Sequence, residues 1–170
     1  ASNTTLSAAV SSTSATTIAI TDATGFPTAG KVLIGSEIVD YTGITNNTLT
    51  GCTRGASKLV DNVATSTTAA THSSNAAVTC FTIIVTDTAH GAVAGDFVTF
   101  SGAASLGGNI TATVLNRNYQ IEAVETLDTY TILAKSFSDT TLKFTNVAST
   151  SSDSGNGGNS VVGTYQVSTT

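Results

Sequence analysis

Two histidines, two cysteines and eleven carboxylates are the groups with which this chain could do chemistry. His72 lies in TAATHSSN and His90 in DTAHGAVAGD. A Ser-His-Asp hydrolase presents its serine on a tight elbow of the G-x-S-x-G kind, so that a histidine can take the hydroxyl proton. No such elbow occurs, and both histidines read as packing in a loop and a turn. Glu37 with Asp40, and Glu122 with Glu125, have the composition of a glycosidase acid/base pair. Three residues apart on a strand, however, the members of each pair point to opposite faces. They are expected to be solvent-facing strand charges.

Asp87, His90 and Asp96 are close enough in sequence to ring a cation. Yet SSDSGNGGN lacks the G-G-x-G-x-D period of calcium β-rolls, no EF-hand loop occurs, and these acids serve better as turn-forming residues. Cys52 and Cys80 lack the CxxC or Cys/His company of a zinc site. They are candidates for a disulfide, whose closure of the intervening loop would contribute about 3–4 kcal/mol. Two buried thiols acting as small apolar residues is the other reading. Gly51-Cys52-Thr53-Arg54-Gly55 is not a phosphate loop, since no Lys-Ser/Thr pair leads into a helix, and Arg54 is expected to pin a loop. Asn3, Asn46 and Asn109 open N-x-[ST] triplets, which a threonine-rich chain produces by composition alone. No catalytic, cofactor-binding or metal-ligating residue is assigned.

The chain that must position these groups has 170 residues, only 10% of them charged, and a net charge of −5. Roughly one residue in five is threonine, whose branched Cβ suits a pleated surface better than a helix. Six Lys and Arg scattered over the chain cannot build a basic stripe, which argues against a nucleic-acid partner. No apolar run reaches the ~20 residues a spanning helix needs, so no membrane insertion is expected. The first stretch lacks the basic start and apolar centre of a signal peptide. The chain opens on Ala1 rather than Met; a removed leader, a clipped Met and a start inside a longer polypeptide all fit.

Residues Ala1 to Ala15 (ASNTTLSAAVSSTSA) read as an extended lead-in, available as a strand donated to a neighbour. Strands are expected at Thr16 to Ile20, Lys31 to Gly35, Glu37 to Ile44 and Asn47 to Gly51, closed by Gly, Asn and Asp turns. A long loop is expected from Ala56 to Ala77. AVTCFTIIVT (Ala77 to Thr86) is the strongest strand signal, and Asp96 to Phe100, Ile110 to Val114, Tyr119 to Val124, Thr129 to Ala134, Thr141 to Val147 and Ser160 to Val167 continue the meander. A helical turn fits only Ala103 to Gly107.

The halves echo each other. TIAITDATGFPTAGKVLI and TIIVTDTAHGAVAGDFVT superimpose without a gap at a shift of 65, which carries Ile18 onto Ile83 and Ala29-Gly30 onto Ala94-Gly95. Later in each copy, NNTLTG and LDTYTI read as equivalent hairpin exits. The expected fold is therefore all-β: an antiparallel β-sandwich or meander of two related modules, residues 16–75 and 76–170, behind an extended segment at 1–15.

GFPTAGKVLIGSEIVDYTGITNNTLTGCTRG resembles a module recurrent in bacteriophage tail and baseplate proteins, with an FP-x-x-G turn, an IG-x-E-x-x-x-Y-T-G hairpin and an L-T-G-x-T-R-G exit. The second half is similar to β-modules of virion structural proteins of aquatic phages, with GD-x-V before an N-x-x-Y hairpin. The two cover most of the chain after Ala15; Cys52 and Cys80 depart from the pattern. The resemblance implies a non-enzymatic virion or extracellular structural subunit, with no cofactor and no transferable site residues. Its expected partners are copies of itself and sister structural proteins. The alternatives are a tip module binding a host-surface glycan and a cellular surface filament with a phage-like fold. Few guards protect the strand edges, since there is one proline and only six basic residues.

Overall fold

Two-residue turns set the registers of this fold. Thr45 faces Thr48 across Asn46-Asn47, and Val60 faces Val63 across Asp61-Asn62. All four turn residues have positive φ, between 47° and 66°, the conformation of a type I′ hairpin turn, which Asn and Asp tolerate best among residues with a Cβ. Gly35, with φ +60°, opens the equally short turn that pairs Ile34 with Glu37.

The computed structural model describes residues 3–167. The first two residues of the expected lead-in and the last three of the second module lie outside it. The chain is all-β, as its composition implies. Its first part comprises β1 (Asn3–Thr5), β2 (Thr17–Ala19), β3 (Gly30–Ile34), β4 (Glu37–Tyr41), β5 (Gly43–Thr45), β6 (Thr48–Thr50), β7 (Ser57–Val60), β8 (Val63–Ser66) and β9 (Ala77–Cys80). These form sheets ordered β1-β9-β3-β4 and β2-β6-β5, and the hairpin β7-β8. The second part comprises β10 (Thr82–Thr86), β11 (Phe97–Ser101), the single turn α1 (Ala112–Leu115), β12 (Asn118–Gln120), β13 (Ala123–Thr126), β14 (Thr129–Leu133), β15 (Lys135–Ser138), β16 (Lys143–Asn146) and β17 (Val162–Gln166). Its sheets run β10-β14-β13 and β12-β11-β17, beside the hairpin β15-β16.

The repeat read in the sequence is a repeat of pairing. β2-β6-β5 corresponds to β10-β14-β13, with Ile18 on Leu49 in one and Ile83 on Ile132 in the other. β9-β3-β4 corresponds to β17-β11-β12. Each module buries its own core: Leu6, Ile18, Val32, Ile34 and Leu49 among others in the first, Ile83, Val98, Ile110, Tyr119 and Tyr130 in the second. A small third cluster of Ile38, Ala56 and Phe81 fills the joint between them.

Several expectations need correcting. AVTCFTIIVT is not one strand. Phe81 breaks it, donating its N–H to Lys31 O of the first module and accepting at its C=O from Ala134 N–H of the second. The module boundary thus falls at Phe81, and β9 belongs to the first module. The expected loop at 56–77 contains the hairpin β7-β8; its signal was V-D-N-V, a turn pair between β-branched residues. β15 was also missed. Ile110 to Val114 is not a strand, because the Thr111 side chain accepts the Val114 N–H and caps α1. Ala103 to Gly107 is not helical. Finally, the lead-in serves its own chain: Asn3, Thr4 and Thr5 pair with Thr79, Val78 and Ala77, and Leu6 is fully buried.

Candidate functional site

The polar groups singled out in the sequence converge on structural pins. Glu37 is not a solvent-facing strand charge; its side chain is fully buried. Its Oε1 accepts from Arg54 Nε at 2.8 Å and Gly55 N at 3.0 Å. Its Oε2 accepts from Arg54 Nη2 at 2.8 Å, Ala70 N at 3.0 Å and His72 Nε2 at 2.6 Å. Burial pushes this carboxyl upward, but the Arg54 fork, the two amides and His72 outweigh it and hold the group at about 2. Arg54 also donates to Ser12 O and Ala70 O, so it pins both the lead-in and the loop before β9. With five donors on two oxygens, Glu37 has no lone pair left for a substrate. Asp40, on the other face, pairs with Lys31 at 2.6 Å.

Asp153 plays the same part in the second module. Fully buried, it accepts from the amides of Gly108, Asn109, Ile110 and Thr150 and from the Thr150 hydroxyl. Burial opposes its ionisation, yet the four amides hold its carboxyl below the ordinary range. The remaining candidates scatter. Glu125 accepts from the N–H and hydroxyl of Thr28, while Glu122 is exposed. Asp87 accepts from the Tyr165 hydroxyl, and His90 packs edge-on to Tyr130 at 5.0 Å between ring centroids. Asp96 instead accepts from Val93 N–H at 3.0 Å. Among the described residues, no three His, Cys, Asp or Glu are grouped to hold a metal ion. Asn3 and Asn109 use their side-chain amides on Thr150 O and Ala148 O. Cys52 and Cys80 are unbonded, buried thiols of the first core, pushed by burial to about 11 and about 12.

What the fold leaves open is a seam. β10 is an edge strand, bonded on one side to β14, and β17 is an edge strand bonded to β11. The two edges lie together: the Tyr165 hydroxyl of β17 bonds both Asp87, which follows β10, and Tyr130 of β14. Against β10 opens a cavity of about 470 Å³, walled by Ile83, Val85, Phe100, Leu106 and Ile132 and rimmed by residues 155–159 and Val161 of the stretch that leads into β17. No charged residue lines it.

The strand ladder fixes which main-chain groups face this seam. Ala134 N–H bonds Phe81 O and Asp87 N–H bonds Asp128 O, so odd-numbered residues of this strand turn to β14. Ile84 and Thr86 therefore point their N–H and C=O groups outward. By the same alternation, Phe100 N–H on Arg117 O turns even-numbered residues of β11 to β12, which leaves Gly163 and Tyr165 of β17 facing outward. These outward groups bond no other main-chain group among the described residues. The sequence marked both strands but not the seam, because edge or centre is a property of pairing. Comparison with protein-family models, curated proteins and solved structures found no match.

Proposed function

We propose that this chain is a non-enzymatic structural subunit of a virion or extracellular assembly of the tail or fibre kind. It associates with copies of itself and with sister proteins through open strand edges. The observation that carries this reading is the pair of uncharged, unguarded edges at β10 and β17, whose main-chain donors and acceptors are ready for another strand. Proteins that stay alone blunt such edges with Lys or Pro. Here Pro27 lies in the turn before β3, and the lysines fall at Lys31, Lys58, Lys135 and Lys143, on neither edge. The exposed strand β8, Val63–Ser66, is equally neutral. The buried acids support the reading too, since their lone pairs are spent on holding loops. Sedimentation velocity over a concentration series, with negative-stain images of the same samples, tests it. Sedimentation should shift to larger species, with fibres or rings in the images. A chain that stays monomeric at the highest attainable concentration refutes the proposal.

A further inference from the structure

The first module has the same two edges as the second, and there they are covered. Residues 3–7 run between β9 and β2 and bond both. On one side Leu6 N–H donates to Ala76 O at 2.9 Å, and in the same register Thr4 and Val78 form the hydrogen-bonded pair of the β1–β9 ladder. On the other, Ser7 N–H donates to Ala19 O at 3.1 Å and Thr21 N–H donates to Thr5 O at 2.8 Å. Leu6, between them, is fully buried in the core, and Val10 anchors the segment four residues later.

The repeat carries the acceptor and donor on β2 into the second module. At the shift of 65, Ala19 and Thr21 fall on Ile84 and Thr86, the two residues whose main-chain groups face outward from β10. The same shift carries Val32 onto Phe97, and their partners are Cys80 and Gln166. Counting back along β9 and β17, Val78, which bonds the lead-in, falls on Thr164. Because Ile121 bonds both Gly95 and Asp96, the alternation of β11 is moved by one residue there, and Gly163 and Tyr165 face the seam in place of Thr164. Leu6 bridges Ile20, and the counterpart of Ile20 at the shift of 65 is Val85, which lines the cavity of about 470 Å³. The stretch before β17 reaches the rim of this cavity, but among the described residues no strand lies beside the outer edge of β10 or of β17, and the residues upstream of the second copy, Ala77 to Phe81, are already committed to β9 and the joint.

We propose that the seam between β10 and β17 is a docking groove for an extended, uncharged peptide segment of an adjoining subunit, of the same make as Asn3–Val10. The origin of the occupant in a neighbour rests on the assembly reading above. The segment runs antiparallel to β17. Its residue equivalent to Ser7 donates to Ile84 O, its residue equivalent to Thr5 accepts from Thr86 N–H, and its leucine enters the cavity. Charge selects the occupant: a wall without a single ionised group offers nothing to offset the desolvation of a charged side chain, whereas Ser, Thr and Ala around one Leu meet it at little cost. Binding of this kind draws affinity from the main-chain ladder and selectivity from the apolar anchor.

A synthetic peptide of residues 1–15, ASNTTLSAAVSSTSA, added to the intact chain at a concentration where the chain is dispersed, tests the groove. Amide hydrogen exchange at Ile84, Thr86, Gly163 and Tyr165 is the readout. The parent peptide should slow these amides about tenfold or more, and a Leu6→Asp peptide should leave them unchanged. The proposal is overturned if the four amides are already protected in the dilute chain, or if the two peptides act alike. A chain that grows into large particles yet ignores the peptide retires the groove and leaves assembly standing. One that takes up the peptide but never self-associates retires the adjoining subunit as the source.

Discussion

Replacing Glu37 with Gln isolates the strongest polar pin in the molecule. The glutamine keeps the shape but turns one oxygen into a donor, facing either the Arg54 Nε and Gly55 amide or the Arg54 Nη2, Ala70 amide and His72. Arg54, with its side chain 5% exposed, becomes a buried cation without its carboxylate. Breaking a buried pair from one side costs about 3–5 kcal/mol. Linkage gives a second route to the magnitude. A carboxyl held at about 2 against an ordinary 4.5 contributes about 3 kcal/mol when ionised in the folded state. The sign follows from the direction of the shift. The folded chain binds fewer protons here than the unfolded chain, so the contribution is complete above about pH 4.5 and is lost as pH falls through about 2. Urea unfolding followed by circular dichroism, at a series of pH values, measures both effects. At pH 7 the Glu37→Gln chain should lie about 3–4 kcal/mol below the parent at unchanged m-value. It should also lack the parent's loss of stability between pH 4.5 and about 2 that this carboxyl contributes. If the two chains differ by under about 1 kcal/mol at pH 7, the pin is not the one described.

Leu6→Ala leaves a hole in a fully closed core and should cost about 2–5 kcal/mol in the same assay, with hydrogen exchange rising at the β1–β9 ladder. Asp153→Ala strands four amides, so exchange at Gly108, Asn109, Ile110 and Thr150 should accelerate while the first module keeps its protection. Cys52 and Cys80, buried and raised to about 11 and about 12, should resist thiol reagents at pH 8 in the folded chain and react fully in urea. Rapid labelling of the folded chain would contradict that. Asn62→Ala removes both a tolerated positive φ and the side-chain oxygen that accepts the Phe144 N–H at 2.8 Å, and should cost about 1–3 kcal/mol by urea unfolding.

The sequence by itself determined the class of structure and its internal repeat. Period-two runs of Val, Ile and Thr, closed by Asn, Asp and Gly, are local statements about φ/ψ and side-chain facing, and most survive in the strands they predicted. The shift of 65 was equally legible, and with it the equivalence of β2 with β10 and β3 with β11. Local signals misled where another contact outweighed them. Thr111 reads as a strand former until its hydroxyl accepts the Val114 amide, and Asp61-Asn62 reads as loop until the two short strands β7 and β8 fold about it. Only the tertiary structure decided which polar groups are spent. Glu37, Arg54 and His72 are far apart along the chain, and a carboxylate on a strand looks like any other until the loop carrying Arg54 and the one carrying His72 close over it. Edges, too, were invisible. Whether a strand is covered depends on which distant segment lies beside it, and Asn3–Val10 covers one module's seam and leaves the other's open because a single segment can lie beside only one pair of edges.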